Sequence, residues 1–311
     1  MANKYLVTGA MGCIGAWVLK HLAEQGKQTI SFDLSTDRHR LDLLMPSEEQ
    51  EAITFIQGDL TDYEQVETAV NQHGITHIIH LAALQVPFCR ADPVLGSQVN
   101  VVGTVNIFES ALKADIKHVA LASSIAVYGG VAEYPEGLVT HDAPRKPHTL
   151  YGVYKVANED TARVYWQDYG VSSLGLRPYT VYGVGRDQGL TSDPTKAILA
   201  AIKGEPFEIG FGGKMQFQLA SDVALQFIDA SEQKIEGSHF YNLGTPVTHV
   251  DEFVSHIQHA IPNTQITRTD TILPFPEGFD DTELKTAVGT VYETPLQEGI
   301  AQTIEHFKSK I

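Results

Sequence analysis

A tyrosine and a lysine stand one helical turn apart, as Tyr151 and Lys155 in the segment Leu-Tyr-Gly-Val-Tyr-Lys. On a helix this spacing places both side chains on one face. A tyrosine with a pKa of about 10 is a poor base at neutral pH, and a neighbouring ammonium stabilises the phenolate. The pair therefore predicts proton transfer at a substrate hydroxyl, with Tyr151 as the transferring residue. Considered alone, the spacing is more typical of a plain pair on a helix surface.

Two serines, Ser123 and Ser124, end the apolar run that begins at His118. Parallel sheets present their ligands at the carboxyl ends of strands, so both serines are expected at a binding edge. A hydroxyl there can hold the reacting oxygen of a substrate. Both serines are therefore candidate substrate-binding residues.

Three glycines, Gly9, Gly12 and Gly15, follow the first apolar run, with Cys13 and Ile14 between the last two. Glycines permit a tight turn and close backbone approach, while the N-terminus of the following helix offers free N–H groups to a pyrophosphate. The spacing is Gly-x-x-Gly-x-x-Gly rather than the commoner Gly-x-Gly-x-x-Gly. The loop predicts dinucleotide binding, and an oxidised nicotinamide would add positive charge near the tyrosine. A dinucleotide loop upstream of the tyrosine–lysine pair favours the catalytic interpretation of that pair.

Asp33 ends the second apolar run, at about the offset of an acid that binds the adenosine ribose. A carboxylate there would repel a 2′-phosphate, so Asp33 predicts NAD rather than NADP. Arg38 and Arg40 follow shortly afterwards. They are either solvated surface charges or residues that shift this preference.

A folded scaffold must position these candidate site residues. Strand-like apolar runs alternate with helical segments along the first half of the chain. Fully apolar strands alternating with helices indicate a parallel sheet covered on both faces. We predict an α/β fold, a Rossmann-like doubly wound parallel sheet with a smaller C-terminal substrate cap. The dinucleotide-binding domain spans 1–183, with 215–246 returning to it, and the cap is built from 184–214 and 247–311.

The chain of 311 residues carries a formal net charge of −16, which disfavours nucleic acid and anionic membrane surfaces as partners. No apolar run reaches membrane-spanning length, and no N-terminal signal is apparent. Cys13 and Cys89, the two cysteines, are expected to be reduced thiols. The protein is predicted to be cytoplasmic, and no metal site is predicted.

Taken together, these motifs resemble the extended short-chain dehydrogenase/reductases, the NAD-dependent epimerase/dehydratase family. The resemblance covers about the first 60% of the chain. The matching segments are residues 8–15, 58–60, 80–83, 100–104, 123–129, 151–155 and 176–183.

The resemblance implies a role for further residues. It implies that Ser124 is the catalytic hydroxyl beside Tyr151 and Lys155, and that Lys155 also holds the nicotinamide ribose. Asn100 joins the cofactor-binding set as an internal polar anchor. The other cofactor-lining residues that the resemblance implies are Asp59, Leu60, Leu81, Ala82, Ala83, Tyr179 and Val181.

The sequence departs from the family in ways that bear on the substrate. Dehydratases carry Asp-Glu after the catalytic hydroxyl, where this chain has Ile125 and Ala126, so dehydration is not expected. Members that bind nucleotide diphosphates have an Asn where this chain has Thr180. They also have an Arg before the late helix, where the stretch 212–222 has only Lys214 as a cation. A diphosphate needs several charge-assisted bonds, so we predict a smaller sugar, sugar acid or other polyhydroxy compound.

Arg186 is the best candidate for a cation that faces the substrate, because an Arg fork suits a carboxylate. An ion pair with Asp187 or other acids is the alternative. Gln85 and Thr180 are further candidate substrate-binding residues, with Phe88 and Gln218 as weaker ones.

Three functions compete. The first is a dehydrogenase, in which Tyr151 takes a hydroxyl proton, Ser124 orients the oxygen and hydride passes to NAD. The second is an NAD-dependent sugar or nucleotide-sugar epimerase, which uses the same residues without net redox change. The third is a non-catalytic dinucleotide sensor, which the intact Tyr–Lys pair argues against. By family analogy the helices 99–114 and 152–169 pair in a homodimer; helices fully buried in a monomer are the alternative.

Overall fold

The computed structural model describes residues 3–310 and shows helices packed on both faces of a seven-stranded sheet. The strands are β1 (Lys4–Thr8), β2 (Gln28–Asp33), β3 (Ile53–Gln57), β4 (His77–His80), β5 (His118–Ala122), β6 (Ser172–Arg177), β7 (Thr180–Tyr182), β8 (Phe207–Ile209), β9 (Lys214–Leu219), β10 (Ser238–Asn242), β11 (Val247–His249) and β12 (Ile266–Arg268). The helices are α1 (Cys13–Glu24), α2 (His39–Leu44), α3 (Ser47–Gln50), α4 (Tyr63–His73), α5 (Val86–Ala91), α6 (Pro93–Ser97), α7 (Gly103–Lys113), α8 (Leu150–Tyr169), α9 (Asp193–Lys203), α10 (Ala220–Glu232), α11 (Val250–Ala260), α12 (Thr282–Val288) and α13 (Leu296–Lys310).

The main sheet has the strand order β10-β6-β5-β4-β1-β2-β3, and every neighbouring pair in it is parallel. The chain winds outward from β1 in both directions, so the topological switch point lies between β1 and β4. Ligands of such sheets bind in the crevice outside the carboxyl ends of the strands at this point. The predicted α/β doubly wound fold is confirmed.

Most of the predicted elements of the first half are present, because their apolar runs are buried in the two hydrophobic cores that cover the sheet. The predicted helix over 99–114 differs at its start, where residues 98–102 form a wider π-helical turn before α7. This turn coincides with the fully buried polar side chain of Asn100. Such turns frequently mark functional regions.

The second half divides between two parts of the fold. α10 packs against α1, and β10 joins the main sheet beside β6. β9 instead pairs with β7 and β11 in a separate three-stranded sheet, and β8 pairs with β12. The start of the segment 215–246, which was expected to return to the main domain, therefore lies in the smaller sheet. Among the helices described for residues 3–310, none combines the length and the apolar character needed to cross a membrane.

Candidate active site

In the glycine loop between β1 and α1, the backbone is packed so closely that no side chain would fit at Gly9 or Gly15. Gly9 has a positive φ of 66°, and a Cβ on it would lie 2.6 Å from the Ala82 backbone. A Cβ on Gly15 would lie 2.2 Å from the Gly9 carbonyl oxygen. The loop thus leaves a backbone cradle at the N-terminus of α1, which is the shape and polarity that a pyrophosphate requires.

Asp33, the last residue of β2, lies beside this cradle and holds the glycine loop in place. The Asp33 carboxylate accepts hydrogen bonds from the backbone N–H groups of Met11 and Ser35, both at 2.9 Å. Arg38 lies over the Phe55 ring, 3.5 Å from its centroid, and Arg40 is paired with Asp187. Asp33 therefore remains the charged group at the ribose end of the cradle, which favours NAD.

A cavity of about 650 Å³ runs from the glycine loop to the start of α8. It brings together nineteen of the residues predicted as cofactor-binding, substrate-binding or catalytic. They are Gly9, Gly12, Cys13, Ile14, Gly15, Asp33, Asp59, Leu60, Leu81, Ala82, Ala83, Gln85, Ser123, Ser124, Tyr151, Lys155, Tyr179, Val181 and Arg186.

Tyr151 and Lys155 lie in the first turns of α8, which the Thr149 side chain caps by accepting a hydrogen bond from the Gly152 N–H at 3.0 Å. The Lys155 ammonium lies 5.6 Å from the centre of the Tyr151 ring and donates to the Ala122 carbonyl oxygen at 2.6 Å. This hydrogen bond ties α8 to the carboxyl end of β5, where Ser124 follows. The three predicted catalytic side chains therefore converge on one point of the cavity wall.

Burial controls the protonation of this group. It raises the pKa of Tyr151 to about 12, while the Ser124 hydroxyl and the charge of Arg186 act in the opposite direction. Burial also lowers the pKa of Lys155 to about 8. The expected lowering of the Tyr151 pKa by Lys155 is not found in the protein alone, because desolvation raises that pKa and the opposing contributions come from Ser124 and Arg186. Additional positive charge in the cavity is needed to make the phenol a base.

Ser123 does not have the predicted role of a substrate ligand. Its side chain is buried and donates a 2.5 Å hydrogen bond to Glu159, one turn beyond Lys155 on α8. Glu159 is in turn held by Arg177 through bonds of 2.7 and 2.8 Å. Although Ser123 borders the cavity, its hydroxyl is bonded to Glu159 and links β5, β6 and α8, so Ser124 is the better candidate to contact a substrate.

Two further residues of the predicted site, Asn100 and Thr180, do not line the cavity. Asn100 is fully buried, accepts a hydrogen bond from the Leu84 N–H at 2.7 Å and donates to the Leu84 carbonyl oxygen at 2.9 Å. It supports the segment 81–84 from behind and is an anchor rather than a cofactor contact. The buried Thr180 hydroxyl lies 3.3 Å from the sulfur of Met215, so it faces the small sheet. Gln218, a weaker candidate, bonds the backbone of Tyr179 and Leu243.

The cap side of the cavity contains Arg186, whose Nη atoms lie 3.5 Å from Gln85 Oε1 and 3.4 Å from Thr191 Oγ1. Its Nε is buried without a hydrogen-bond partner among residues 3–310. The anticipated ion pair between Arg186 and Asp187 is not formed, because Asp187 binds Arg40 and His39 instead. Sequence reasoning missed Thr191 and Phe275 here, since neither belongs to a recognisable motif.

Comparisons with known proteins agree with this geometry. The model of the NAD dependent epimerase/dehydratase family matches residues 5–244. The UDP-glucose 4-epimerase of Mycolicibacterium smegmatis is 29% identical, with 98% of each chain covered. Among solved structures, the Thermus thermophilus UDP-glucose 4-epimerase in complex with NAD has a TM-score of 0.84 at 25% identity, covering 99% of this chain and 100% of that one. MoeE5 in complex with UDP-glucose and NAD has a TM-score of 0.83 at 27% identity, covering 99% of each chain.

The fit of the cradle, Asp33 and the Ser–Tyr–Lys group to a nicotinamide dinucleotide, together with a family match over most of the chain, leads to one conclusion. The chain belongs to the NAD-dependent epimerase/dehydratase family and is an NAD-dependent dehydrogenase or epimerase of the extended short-chain dehydrogenase/reductase type.

Proposed function

We propose that the protein is an NAD-dependent dehydrogenase that oxidises a hydroxyl group of a small polyhydroxy acid, such as a sugar acid. The observation that carries this proposal is the state of the cations that line the cavity, which are Arg40, Lys155 and Arg186 among the described residues. Arg40 is paired with Asp187, and Lys155 donates to the Ala122 carbonyl oxygen. Arg186 has no carboxylate partner among residues 3–310. One guanidinium suits one carboxylate and is too little for a diphosphate.

The chain's own residues would act in sequence on the bound alcohol. Ser124 holds the reacting oxygen, and Tyr151 takes its proton on the phenol oxygen. Lys155 fixes the ribose of the cofactor and places its charge near the phenol. NAD held in the glycine cradle would supply the hydride acceptor and a positive charge close to the buried phenol. Arg186 orients the substrate through its carboxylate, with Gln85 and Thr191 beside it.

The test uses purified protein, NAD and a panel of aldonic, uronic and other hydroxy acids, with NADH absorbance as the readout. We expect NADH to accumulate with at least one acid. Arg186→Gln should raise KM for that acid about tenfold or more, while the matching neutral polyol, a poor substrate, is affected little. Equal losses for the acid and the polyol would contradict the role of Arg186.

An epimerase of a nucleotide sugar is the second candidate, because the relatives named above are UDP-glucose 4-epimerases or bind UDP-glucose. Interconversion of isomers without net NADH would identify this activity. Micromolar binding of a nucleotide sugar in isothermal titration calorimetry would overturn the small-substrate proposal.

A homodimer is part of the same proposal. Val153 and Val164 on α8 are about 45% and 40% exposed, and their spacing of 11 residues puts them on one face of the helix. Val102 at the start of α7 and Val94 on α6 are also exposed. Ile107, Phe108 and Tyr165 are buried within the monomer. Light scattering should give the mass of a dimer, and Val153→Asp with Val164→Asp should give that of a monomer.

Location in the cytoplasm is likewise proposed and fits two free cysteines.

A further inference from the structure

An ion pair joins two segments of the cavity wall that come from distant parts of the chain. Arg40, at the start of α2, donates from Nε and Nη2 to Asp187 Oδ1 at 3.0 and 2.7 Å. Asp187 follows β7 and is 147 residues away in sequence. Both residues line the cavity that holds the glycine cradle. The pair therefore closes part of the wall between α2 and the segment 183–189.

Arg40 extends this link to the cradle itself. Its Nη1 donates to the Met11 carbonyl oxygen at 2.9 Å, while the Met11 N–H donates to Asp33. The peptide units on both sides of Met11 are thus held by charged side chains. Any movement of Asp187 away from Arg40 leaves the cradle bound to α2 but opens the wall on the cap side.

The segment 183–189 is rich in glycine and contacts both α1 and α2. Gly183, Gly185 and Gly189 all have positive φ angles, so the backbone turns repeatedly without side chains to restrict it. The indole N–H of Trp17 holds the start of the segment through the Val184 carbonyl oxygen at 2.9 Å. Beyond that point, Asp187 attaches it to α2 through Arg40 and through His39, whose Nε2 lies 3.0 Å from Oδ2.

The energy of the pair suits a contact that opens and closes. Asp187 is about 44% exposed and Arg40 about 15%, so solvent weakens their attraction. Two hydrogen bonds to one guanidinium make the pair stronger than an ordinary surface ion pair. The contact is therefore firm enough to hold the wall closed and weak enough to break within a catalytic cycle.

We propose that the Arg40–Asp187 ion pair is a clasp on the cofactor cleft, which must open before the dinucleotide can leave. The clasp is independent of the substrate and requires only that the cavity binds NAD. It also places cofactor release under the control of the segment that carries Arg186.

The direct test measures the dissociation rate of NADH by stopped-flow fluorescence, with excess NAD as the competitor. Asp187→Asn should raise the dissociation rate about three- to tenfold, the range expected for a partly exposed ion pair in which two guanidinium N–H groups share one carboxylate oxygen. The association rate should not fall, because an open wall does not hinder entry. An unchanged dissociation rate, or weaker binding caused only by slower association, would contradict the clasp.

A control and a double variant separate the clasp from simple loss of charge. Asp37→Asn removes a carboxylate that pairs with His39 on the α2 side of the wall, and it should leave the NADH dissociation rate within about twofold of wild type. In an Arg40→Gln background, Asp187→Asn should have a much smaller effect than in wild type, because only the His39 contact of Asp187 is left to lose. A full additional effect in that background would show that Asp187 acts through another contact. Melting temperatures of all variants would identify any that fail to fold.

Discussion

At the scale of single residues, Tyr151 is the group whose removal should stop the reaction. Tyr151→Phe keeps the ring but deletes the phenol oxygen, so activity should fall by about 100-fold or more, the usual size of an acid–base contribution. Tyr154→Phe is the matched control, because its hydroxyl lies on the same helix and bonds the Pro93 carbonyl oxygen outside the cavity. Activity that survives the Tyr151→Phe substitution, measured as NADH formation or isomer conversion, would revive the non-catalytic sensor.

Lys155 makes a prediction about stability and pH. Its pKa is about 8 in the folded protein and 10.5 in the unfolded chain, because burial disfavours the ammonium. Below pH 8 the buried charge costs the full difference, and the cost disappears as the pH rises from 8 towards 10.5. Without cofactor, Lys155→Met should therefore be more stable than wild type at pH 7, by on the order of 3 kcal/mol.

Urea unfolding of the cofactor-free proteins at several pH values checks this expectation. The difference in unfolding free energy between Lys155→Met and wild type should shrink between pH 8 and 10.5. The same substitution at the exposed Lys203 controls for the effect of a methionine itself. A difference that stays constant with pH would show that the folded lysine titrates normally.

The spacing of Tyr151 and Lys155 and that of the loop glycines could be read from the sequence, because short spacings within one element or loop report their geometry. The family resemblance singled out Ser124 and implied that Asn100 is an internal anchor, but the contact of Ser123 could not be read from either. A serine at a strand end can face the cavity or the core, and here the buried Glu159 attracts it to the core. The Arg40–Asp187 pair was equally hidden, since it depends on how two distant segments meet.

At the scale of elements, the contact between α8 and the segment after β5 sets the distance between Tyr151 and Ser124. Gly152 makes this contact, because a Cβ on it would lie 2.1 Å from the Ala126 carbonyl oxygen and 2.9 Å from Pro147. Ala126 in turn donates its N–H to Ser124 Oγ at 3.1 Å. The absence of one side chain therefore allows the helix to approach the catalytic serine.

Gly152→Ala should push the start of α8 away from Ser124. We expect activity to fall at least about tenfold and the unfolding free energy to fall by about 1–3 kcal/mol, as for an overpacked core. Gly130→Ala is the control, because its Cβ would meet only His148 at 3.7 Å. Enzyme assays and urea unfolding measure the two effects, and normal activity after the Gly152→Ala substitution would show that the contact is not needed.

The elements of the first half were predictable because most of their strands contain apolar runs with a helix behind them. The short strands of the second half were not. β7, β8, β11 and β12 are three residues long, and their pairing with distant partners leaves no periodic signal. The π-helical turn before α7 was also invisible, because its residues read as part of one helix.

At the scale of the whole molecule, cofactor binding should stabilise the fold as well as fill the cleft. A ligand at about 100 times its Kd adds about 2.7 kcal/mol, which should raise Tm by roughly 5 °C in a chain of this size. NAD should give this increase and NADP a much smaller one, because the Asp33 carboxylate repels a 2′-phosphate. Equal increases with both dinucleotides in thermal unfolding would contradict the assignment of Asp33.

The order in which the chain visits the two sheets has a practical consequence for engineering. After β6 the chain enters the small sheet with β7, returns to it with β9, crosses to the main sheet for β10 and comes back with β11. The three strands of the small sheet therefore do not form one continuous stretch of chain, so this sheet cannot be transferred to a relative as a single segment. New substrate preferences would have to be introduced by exchanging individual loops, because a chimaera joined after β7 would build both sheets from strands of two different parents.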